Sequence, residues 1–318
     1  MNIGILGTGF GAYHAGLLVK MKQVDKVVIF GRNETKLHKL KQTLGVEVTT
    51  CIEDIMLDPT IDVVDLCLPS NLHKQYAIDA LKNGKHVFCE TPVCLQLEDA
   101  LAMKQAEEQY GKRVLVNQFI KFEPAYHYLY EAALQEKYGK LLSFTLKRET
   151  APLWGDLGLG SITTNLMIHE LDFVAWMLGS IEDCSVWGAK MGIDGQSLVR
   201  ANFHNSEVSA ETIVSSQMPE TYPFTVGYEA YFELAKLIFH ESEDMNGSEL
   251  SLTEFTSSGK HQLVLEQANY CEKSIEHALQ CLKDNSSSIL SLDHAIQSLE
   301  IAVELREKLL SSNGVLNK

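Results

Sequence analysis

A glycine-rich segment near the start of the sequence has the composition of a phosphate-binding loop. In Gly7-Thr8-Gly9-Phe10-Gly11-Ala12, residues 7, 9 and 12 occupy the three small positions of the pattern Gly-x-Gly-x-x-Gly/Ala. In such a loop the first glycine permits a tight turn, the second lets the backbone approach a pyrophosphate, and the third small residue allows close helix–strand packing. The helix that follows presents free N–H groups to the anion. The segment predicts a dinucleotide site, with a glycine turn that binds no ligand as the alternative.

Positive charge follows the second predicted strand, Lys26–Phe30. Sites specific for NAD usually carry an acidic residue at this point, which accepts a hydrogen bond from the ribose 2′-hydroxyl. This chain instead has Gly31-Arg32-Asn33, with Lys36 one helical turn later. Because a guanidinium donates bidentate hydrogen bonds to phosphate, we expect Arg32, Asn33 and Lys36 to contact the cofactor and to favour NADP(H), with NAD(H) as the second choice. A solvated Arg32 at the start of a surface helix is the alternative.

Three polar residues recur at helical spacing in the second half of the chain. Asn165, His169 and Asp172 lie at i, i+4 and i+7 of a candidate helix from Thr164 to Met177, which places them on one face. An imidazole titrates near pH ~6.5 and can protonate an alkoxide or accept a hydroxyl proton. The spacing lets the three side chains point into one cleft, and in one interpretation His169 acts at a substrate site while Asp172 orients the imidazole or contacts the substrate. A structural histidine and a solvated Asp172 are the alternatives.

Two different apolar patterns divide the chain. From residue 2 to about 120, short apolar runs alternate with helical patterns, which is typical of a doubly wound parallel sheet covered by helices on both faces. After a helix at Pro124–Leu134, consecutive strand patterns indicate an α+β domain with a mostly antiparallel open sheet. The fold class is thus α/β, with a Rossmann domain at 1–120 and a second domain at 121–318. Whether the C-terminal helices pack back on the first domain is left open.

The patterns also give the individual elements. The predicted strands are Ile3–Leu6, Lys26–Phe30, Val63–Leu68, His86–Cys89, Arg113–Gln118, Lys140–Arg148, Ile181–Lys190, Ser197–Phe203, Ser206–Ser216, Phe224–Phe232 and Leu234–His240. Two closing helices are predicted at Gln267–Lys283 and Leu292–Leu310.

The overall composition excludes several classes of protein. The chain has 318 residues, of which 45% are hydrophobic, and a formal net charge of −15 from 27 basic and 42 acidic side chains. This charge repels phosphate backbones and anionic lipid, so neither a nucleic acid nor a membrane surface is an expected partner. The seven cysteines and eleven histidines show no metal-ligand spacing, and no apolar run is long enough to span a bilayer. We expect a cytoplasmic protein with reduced cysteines and no metal site.

Four ordered motifs extend the analysis to nearly the whole chain. They are Gly7–Ala12, the stretch from Asp62-Val63-Val64 to Pro69-Ser70-Asn71-Leu72-His73, the run Gly84-Lys85-His86-Val87-Phe88-Cys89-Glu90-Thr91-Pro92, and Asn165-Leu166-Met167-Ile168-His169-Glu170-Leu171-Asp172. Together they resemble the Gfo/Idh/MocA family of nicotinamide-dependent oxidoreductases. The resemblance implies that Pro69, Ser70, Asn71 and His73 line the cofactor cleft, and that Glu90, Thr91 and Pro92 lie beside the nicotinamide. Ser70 or Asn71 is also a good N-cap for the helix that follows.

The chain departs from that family at two charged positions. The lysine of the family's Glu-Lys-Pro is Thr91, and the first aspartate of its Asp-x-x-x-His-x-x-Asp is Asn165. Both side chains can hydrogen-bond a substrate oxygen, but neither can transfer a proton near pH ~7. Lys121 lies near a position where the family commonly has arginine, and it is a candidate for the missing positive charge or a surface lysine. Trp154, before Gly158-Leu159-Gly160, is expected to shape the substrate pocket or to pack in the core.

The resemblance implies hydride transfer between NADP(H) and a secondary alcohol or carbonyl of a sugar, cyclitol or related small molecule. Reduction of a C=N bond is a variant that tolerates the loss of the lysine. A catalytically silent dinucleotide-binding sensor or interaction protein is the alternative that Thr91 and Asn165 suggest. The resemblance also implies that the domain at 121–318 binds the substrate and forms a homo-oligomer, a dimer or tetramer, with the apolar run Phe224-Thr225-Val226-Gly227-Tyr228 at its interface.

Overall fold

The computed structural model describes residues 1–152, 155–190, 195–245 and 247–311. Trp154, expected from the sequence to shape the substrate pocket or to pack in the core, lies outside these described residues. The chain divides into two compact units, described separately below. The first comprises Met1–Phe119 and Asn269–Ile296, and the second comprises Ile120–Ala268 and the residues from Gln297 onward.

The first unit is built on a parallel sheet of six strands in the described residues. They are β1 (Asn2–Leu6), β2 (Lys26–Phe30), β3 (Glu47–Thr49), β4 (Val63–Leu66), β5 (His86–Cys89) and β6 (Val114–Val116). Their order is β3-β2-β1-β4-β5-β6, and every neighbouring pair is parallel. This is the order of a dinucleotide-binding sheet, in which ligands lie beyond the carboxyl ends of the strands where the order reverses. The predicted Rossmann architecture is confirmed.

Helices connect these strands, as parallel pairing requires. They are α1 (Phe10–Leu18), α2 (Glu34–Leu44), α3 (Glu53–Met56), α4 (His73–Lys82) and α5 (Leu97–Tyr110), with a short 3₁₀ helix at Ser70–Leu72 before α4. Neither Ser70 nor any other side chain caps the start of α4, so the N-cap expected there is not formed. The turn from β4 into α4 is made instead through that 3₁₀ helix.

The second unit contains a mostly antiparallel sheet. Its strands are β7 (Leu141–Glu149), β8 (Asp183–Lys190), β9 (Ser197–His204), β10 (Ser209–Ser215), β11 (Phe224–Phe232), β12 (Ala235–Asp244), β13 (Gly247–Thr256) and β14 (Gly259–Leu263). Their order is β14-β13-β12-β11-β7-β10-β9-β8, and β7 with β10 is the parallel pair. The predicted α+β domain with an open antiparallel sheet is confirmed.

The remaining helices are α6 (Pro124–Leu134), α7 (Ile162–Asn165), α8 (Ile168–Leu178), α9 (Tyr270–Asp284) and α10 (Leu292–Leu310). The single helix predicted from Thr164 to Met177 is wrong, because α7 ends at Asn165 and α8 begins at Ile168. The carbonyl of Ile162 accepts hydrogen bonds from the N–H groups of both Leu166 and Met167, at 3.0 and 2.9 Å. This double acceptance widens the turn and ends the first helix.

One face of the second sheet carries the core of its unit. Tyr126 of α6 packs edge-on against Phe173 of α8 and against Tyr228 and Phe239 of the sheet, with ring centroids 5.0 to 5.6 Å apart. Val226 and Tyr228 are buried in this core. Val226 and Tyr228 therefore do not lie on the open face of the sheet, because alternate residues of a strand point to opposite faces, while an interface at 224–228 stays a prediction.

Two further properties concern the whole described chain. None of its described helices combines the length and the apolar character that crossing a bilayer requires. The seven cysteines are all free; Cys51 is exposed and the others are buried or half-buried.

Candidate functional site

The loop between β1 and α1 can be formed only with glycine at its first position. Gly7 has a φ of +113°, and a Cβ there would lie 2.4 Å from the carbonyl oxygen of Cys67. A Cβ on Gly9 would meet nothing within 4 Å. Gly9 therefore faces open space at the N-terminus of α1, where N–H groups attract an anion. The loop fits a pyrophosphate.

Close packing of α1 against the sheet occurs at Gly11. A Cβ there would lie 2.7 Å from Cγ2 of Ile5 and 3.3 Å from Cβ of Cys67. The sequence predicted this role for Ala12, which is half-buried, whereas the structure shows the close approach one residue earlier. Phe10, the first residue of α1, is 60% exposed.

Two cations lie exposed after β2. A Cβ on Gly31 would lie 2.5 Å from Cγ2 of Thr8, so the end of β2 closely approaches the phosphate loop. Arg32 and Lys36 are both exposed beyond this point. Asn33 caps α2, because its side-chain oxygen accepts a hydrogen bond of 2.9 Å from the N–H of Lys36. The structure thus leaves the two cationic side chains available for a phosphate and uses the Asn33 oxygen within the chain.

His73 connects the loops that follow β4 and β5. Its Nε2 lies 2.8 Å from the carbonyl oxygen of Leu68, and its Nδ1 lies 3.1 and 3.2 Å from those of Pro92 and Val93. The ring is buried, and burial lowers its pKa. Since both nitrogens face backbone carbonyls, His73 positions the two loops and has no free nitrogen for a cofactor. In the first of these loops Pro69 and Asn71 are exposed and Ser70 is half-buried.

A buried imidazole bridges two carboxylates behind the phosphate loop. His14 Nδ1 lies 2.9 Å from Oδ2 of Asp65, and its Nε2 lies 3.0 Å from Oε1 of Glu90. Burial lowers the pKa of His14, but the Asp65 charge and the hydrogen bonds of Asp65, Cys67 and Glu90 outweigh it and raise that pKa well above its ordinary value. The sulfur of Cys67 lies 3.5 Å from Nδ1 of His14. The imidazole and the two carboxylates thus form a buried network of charged groups.

Glu90 and Thr91 both bond to Asn117, which follows β6. The Asn117 amide donates to Oε1 of Glu90 at 2.6 Å, and its Oδ1 accepts from the hydroxyl of Ser274 at 2.7 Å. The Thr91 hydroxyl donates to the Asn117 carbonyl at 2.9 Å. With its proton engaged, the Thr91 oxygen can only accept a hydrogen bond from a ligand. The residue at the family's lysine position is thus a neutral acceptor.

His169, in the second unit, is held neutral. Burial, together with the charge of Arg148, lowers the pKa of His169 to about 3. Asn165 lies on α7 and is exposed, and its Oδ1 accepts a hydrogen bond of 3.1 Å from the Thr164 hydroxyl. The expectation that Asn165 and His169 share one helical face is corrected, because the helix is broken between them.

Asp172 and Lys121 form a buried ion pair. Lys121 Nζ lies 2.9 Å from Oδ1 of Asp172, and the two side chains are 0% and 3% exposed. Asp172 is therefore not solvated, and Lys121 is not a surface lysine. Burial raises the pKa of Asp172 to about 6, against the opposing effect of Lys121. Within the described residues Oδ2 of Asp172 has no hydrogen-bond partner, which leaves one acceptor for a ligand.

Comparison with known proteins gives a match in the first unit. Residues 1–118 match the model of the Gfo/Idh/MocA oxidoreductase family, described as having an NAD-binding Rossmann fold. Over these residues the chain is similar to the Gfo/Idh/MocA family. The resemblance stated from the motifs is confirmed there.

Relatives of known name match the chain over about half of its length. The myo-inositol 2-dehydrogenase of Thermotoga maritima is 28% identical over 187 residues, covering 56% of this chain and 55% of that protein. The scyllo-inositol 2-dehydrogenase (NAD(+)) of Bacillus subtilis is 29% identical over 188 residues, covering 57% and 54%. The chain thus matches only about half the length of each relative.

A solved structure shows the same fold over nearly the whole chain. It is an oxidoreductase of Agrobacterium radiobacter in complex with NAD+, L-tartaric acid and magnesium. The TM-score is 0.82 at 15% identity, with 98% of this chain and 96% of the other covered. Because nearly the whole chain is covered, the second unit also has the fold of the corresponding part of that structure.

Several polar residues of the two units were not found by sequence reasoning. Asp65 carried a signal, because a carboxylate inside the apolar strand β4 requires a buried partner. That partner, His14, lies 51 positions away in sequence. Arg148 and Glu170 form a further buried pair, and no sequence motif indicated that they pair.

Proposed function

We propose that the protein is an NADP(H)-dependent oxidoreductase that transfers a hydride between nicotinamide and a secondary alcohol or carbonyl of a sugar, cyclitol or related small molecule. The observation that supports this most is the glycine loop at the end of β1, in a sheet of Rossmann order that matches the family. The two named relatives act on inositols.

The preference for NADP(H) rests on this chain alone. One relative is named for NAD(+), and the similar solved structure contains NAD+. Here Arg32 and Lys36 are exposed beyond β2, where NAD sites usually carry an acid. These two cations would hold a 2′-phosphate, and the backbone at Gly9 would hold the pyrophosphate. Bound nicotinamide supplies the hydride donor or acceptor.

The substrate contacts follow from protonation states. His169 is neutral above pH ~4, because its pKa is about 3, and a neutral imidazole can hydrogen-bond a substrate oxygen. Oδ2 of Asp172, unpaired within the described chain, accepts from a substrate hydroxyl, while Lys121 holds its other oxygen. Thr91 of the first unit and Asn165 of the second are neutral hydrogen-bonding groups. In this proposal water, rather than a charged side chain, exchanges the proton.

Cofactor titration tests the first half of the proposal. We expect NADPH to bind the wild-type protein more tightly than NADH in a fluorescence titration. Arg32→Ala weakens NADPH binding by roughly 10- to 100-fold, because a charge-assisted pair is worth ~1.5–3 kcal/mol, and leaves NADH binding nearly unchanged. Lys39→Ala, which removes an exposed lysine further along α2, is the matched control. Absence of binding by either cofactor would refute the proposal.

A substrate panel separates this enzyme from a silent dinucleotide-binding protein. The second candidate is favoured by the neutral residues Thr91 and Asn165 and by the low pKa of His169. Oxidation of NADPH by any member of a panel of keto-sugars and inososes excludes the silent protein. His169→Ala is expected to lower that turnover without affecting NADPH affinity, whereas unchanged turnover removes His169 from the site.

Assembly and location complete the proposal. A homo-oligomer follows from the family resemblance, and a concentration-independent monomer in light scattering would exclude it. A cytoplasmic location agrees with the free cysteines, and cell fractionation tests it.

A further inference from the structure

Arg148 occupies an unusual position on the core side of the second sheet. It lies on β7, and its Nε donates to both carboxylate oxygens of Glu170 on α8, at 2.8 and 3.0 Å. The side chains are 9% and 0% exposed. This pair satisfies one N–H of the guanidinium and leaves the fork formed by Nη1 and Nη2 unused.

No acceptor for that fork occurs among the described residues, since Arg148 bonds only to Glu170 through Nε. The Phe224 ring lies 5.5 Å from Cζ and flanks the guanidinium without accepting a conventional hydrogen bond. A largely buried guanidinium with four unbonded N–H groups is costly unless a ligand or water completes it. The side chain retains 9% exposure, so it is not sealed.

The surroundings determine the charge of a fitting ligand. The charge of Arg148 acts on His169, whose pKa it helps to lower. Across the sheet, Arg148 pairs with Val226, and Val226 pairs with Glu241. Burial raises the pKa of Glu241, and the charge of Arg148 partly opposes this increase. Burial also raises the pKa of Glu123, to about 7. Because like charges repel, these carboxyl groups disfavour a doubly charged ligand beside Arg148 more than a singly charged one.

We propose that the unused fork of Arg148 binds a carboxylate of the substrate, which is therefore a sugar acid, such as a uronic or aldonic acid, in place of a neutral polyol. Two parallel N–H groups match the two oxygens of a carboxylate. The inference rests on the proposed function, since it names the substrate class of the site that contains His169.

Binding of matched acid and neutral sugars tests this assignment. The probes are D-glucuronate against D-glucose and D-galacturonate against D-galactose, titrated calorimetrically into the protein with NADP+ present. We expect at least one acid to bind roughly 10-fold or more tightly than its neutral partner, as a charge-assisted bidentate pair implies. A glucose phosphate, which is doubly charged, is expected to bind more weakly than glucuronate.

Arg148→Lys is the informative variant, because it keeps a cation beside Glu170 and removes the planar fork. It is expected to abolish the preference for the acid while thermal unfolding and NADP+ binding stay close to wild type. Arg200→Lys is the matched control, since Arg200 is an exposed arginine of β9, and should keep the preference. Arg148→Gln, judged by the same unfolding and cofactor readouts, tests the positive charge.

Each outcome decides one of the two proposals. Equal or weaker binding of the acids, binding of no sugar at all, or an unchanged preference in Arg148→Lys would overturn the assignment. Preferential binding of an acid without any hydride transfer to NADP+ would uphold Arg148 and refute the oxidoreductase. Turnover of neutral sugars alone would uphold the oxidoreductase and refute the role of Arg148.

Discussion

His14 stabilises the first unit through charge that water does not screen. Its ring lies between Asp65 and Glu90 at 2.9 and 3.0 Å, and the ring and Asp65 are almost completely buried. Because the two carboxylates raise the pKa of His14, its stabilising contribution is complete below the unfolded pKa of ~6.5 and is lost as pH rises toward the folded value. The imidazolium also fixes the Glu90 carboxylate beside Thr91.

We expect His14→Ala to lower the free energy of unfolding by about 3–5 kcal/mol, because it leaves buried carboxylates without their cation. Urea denaturation near pH ~6 measures this change. His38→Ala, at an exposed histidine of α2, should change the same quantity by less than ~0.5 kcal/mol. A loss of stability in His14→Ala no larger than in that control would show that the imidazole is neutral.

Local sequence patterns predicted the elements that bury one clear face, and missed the others. β2 and α6 match their predicted bounds, because apolar residues define them without ambiguity. β13 and β14 were not predicted, since most of their residues are exposed and buried residues do not alternate with exposed ones along them. The break between α7 and α8 depends on a backbone bond to Ile162, which apolar spacing does not reveal.

The candidate site shows the same division. The phosphate loop and its place after β1 were predicted, because glycine spacing reports backbone geometry directly. The pairs Lys121–Asp172 and Arg148–Glu170 were not, since each joins residues distant in sequence whose burial only the tertiary fold determines. A lone sequence gives residue types, whereas a pKa depends on the neighbours that folding supplies.

The beginning of α6 contains a carboxyl group that resists ionisation. Glu123 accepts a hydrogen bond of 2.9 Å from the N–H of Tyr126, and Pro124 follows it as the first helical residue. Burial raises the pKa of Glu123 from 4.5 to about 7. Between these pH values the folded protein holds a proton that the unfolded chain has lost, so the stability contributed by Glu123 falls as pH rises.

Glu123→Gln is expected to reverse that loss, because glutamine cannot ionise and its side-chain oxygen can still cap the helix. The free energy of unfolding of the variant relative to wild type should increase as pH rises from about 5 to about 8, by up to ~3 kcal/mol. Thermal unfolding across this range measures the difference. Glu220→Gln, at an exposed position, should show a difference independent of pH; a similar flat response of Glu123→Gln would place its pKa near the ordinary value.

The charge of the entire chain sets a further condition on stability. A formal charge of −15 at pH 7 makes the acidic surface repel itself, and this repulsion destabilises the compact state relative to the expanded one. Salt shortens the distance over which exposed charges interact, to about 10 Å at ~0.1 M. Buried pairs such as Arg148–Glu170 are screened much less. Added salt should therefore weaken the repulsion between surface charges more than it weakens the buried pairs.

We therefore expect the unfolding temperature at about pH 8 to rise when NaCl is increased from about 20 mM to about 200 mM. The control is the same titration near the sequence pI of 5.2, where the net charge is close to zero and the increase should disappear. NaCl suits this comparison because sulfate and phosphate salts stabilise proteins by exclusion from their surface. A fall in unfolding temperature with salt at pH ~8 would mean that exposed ion pairs contribute more to stability than net repulsion removes.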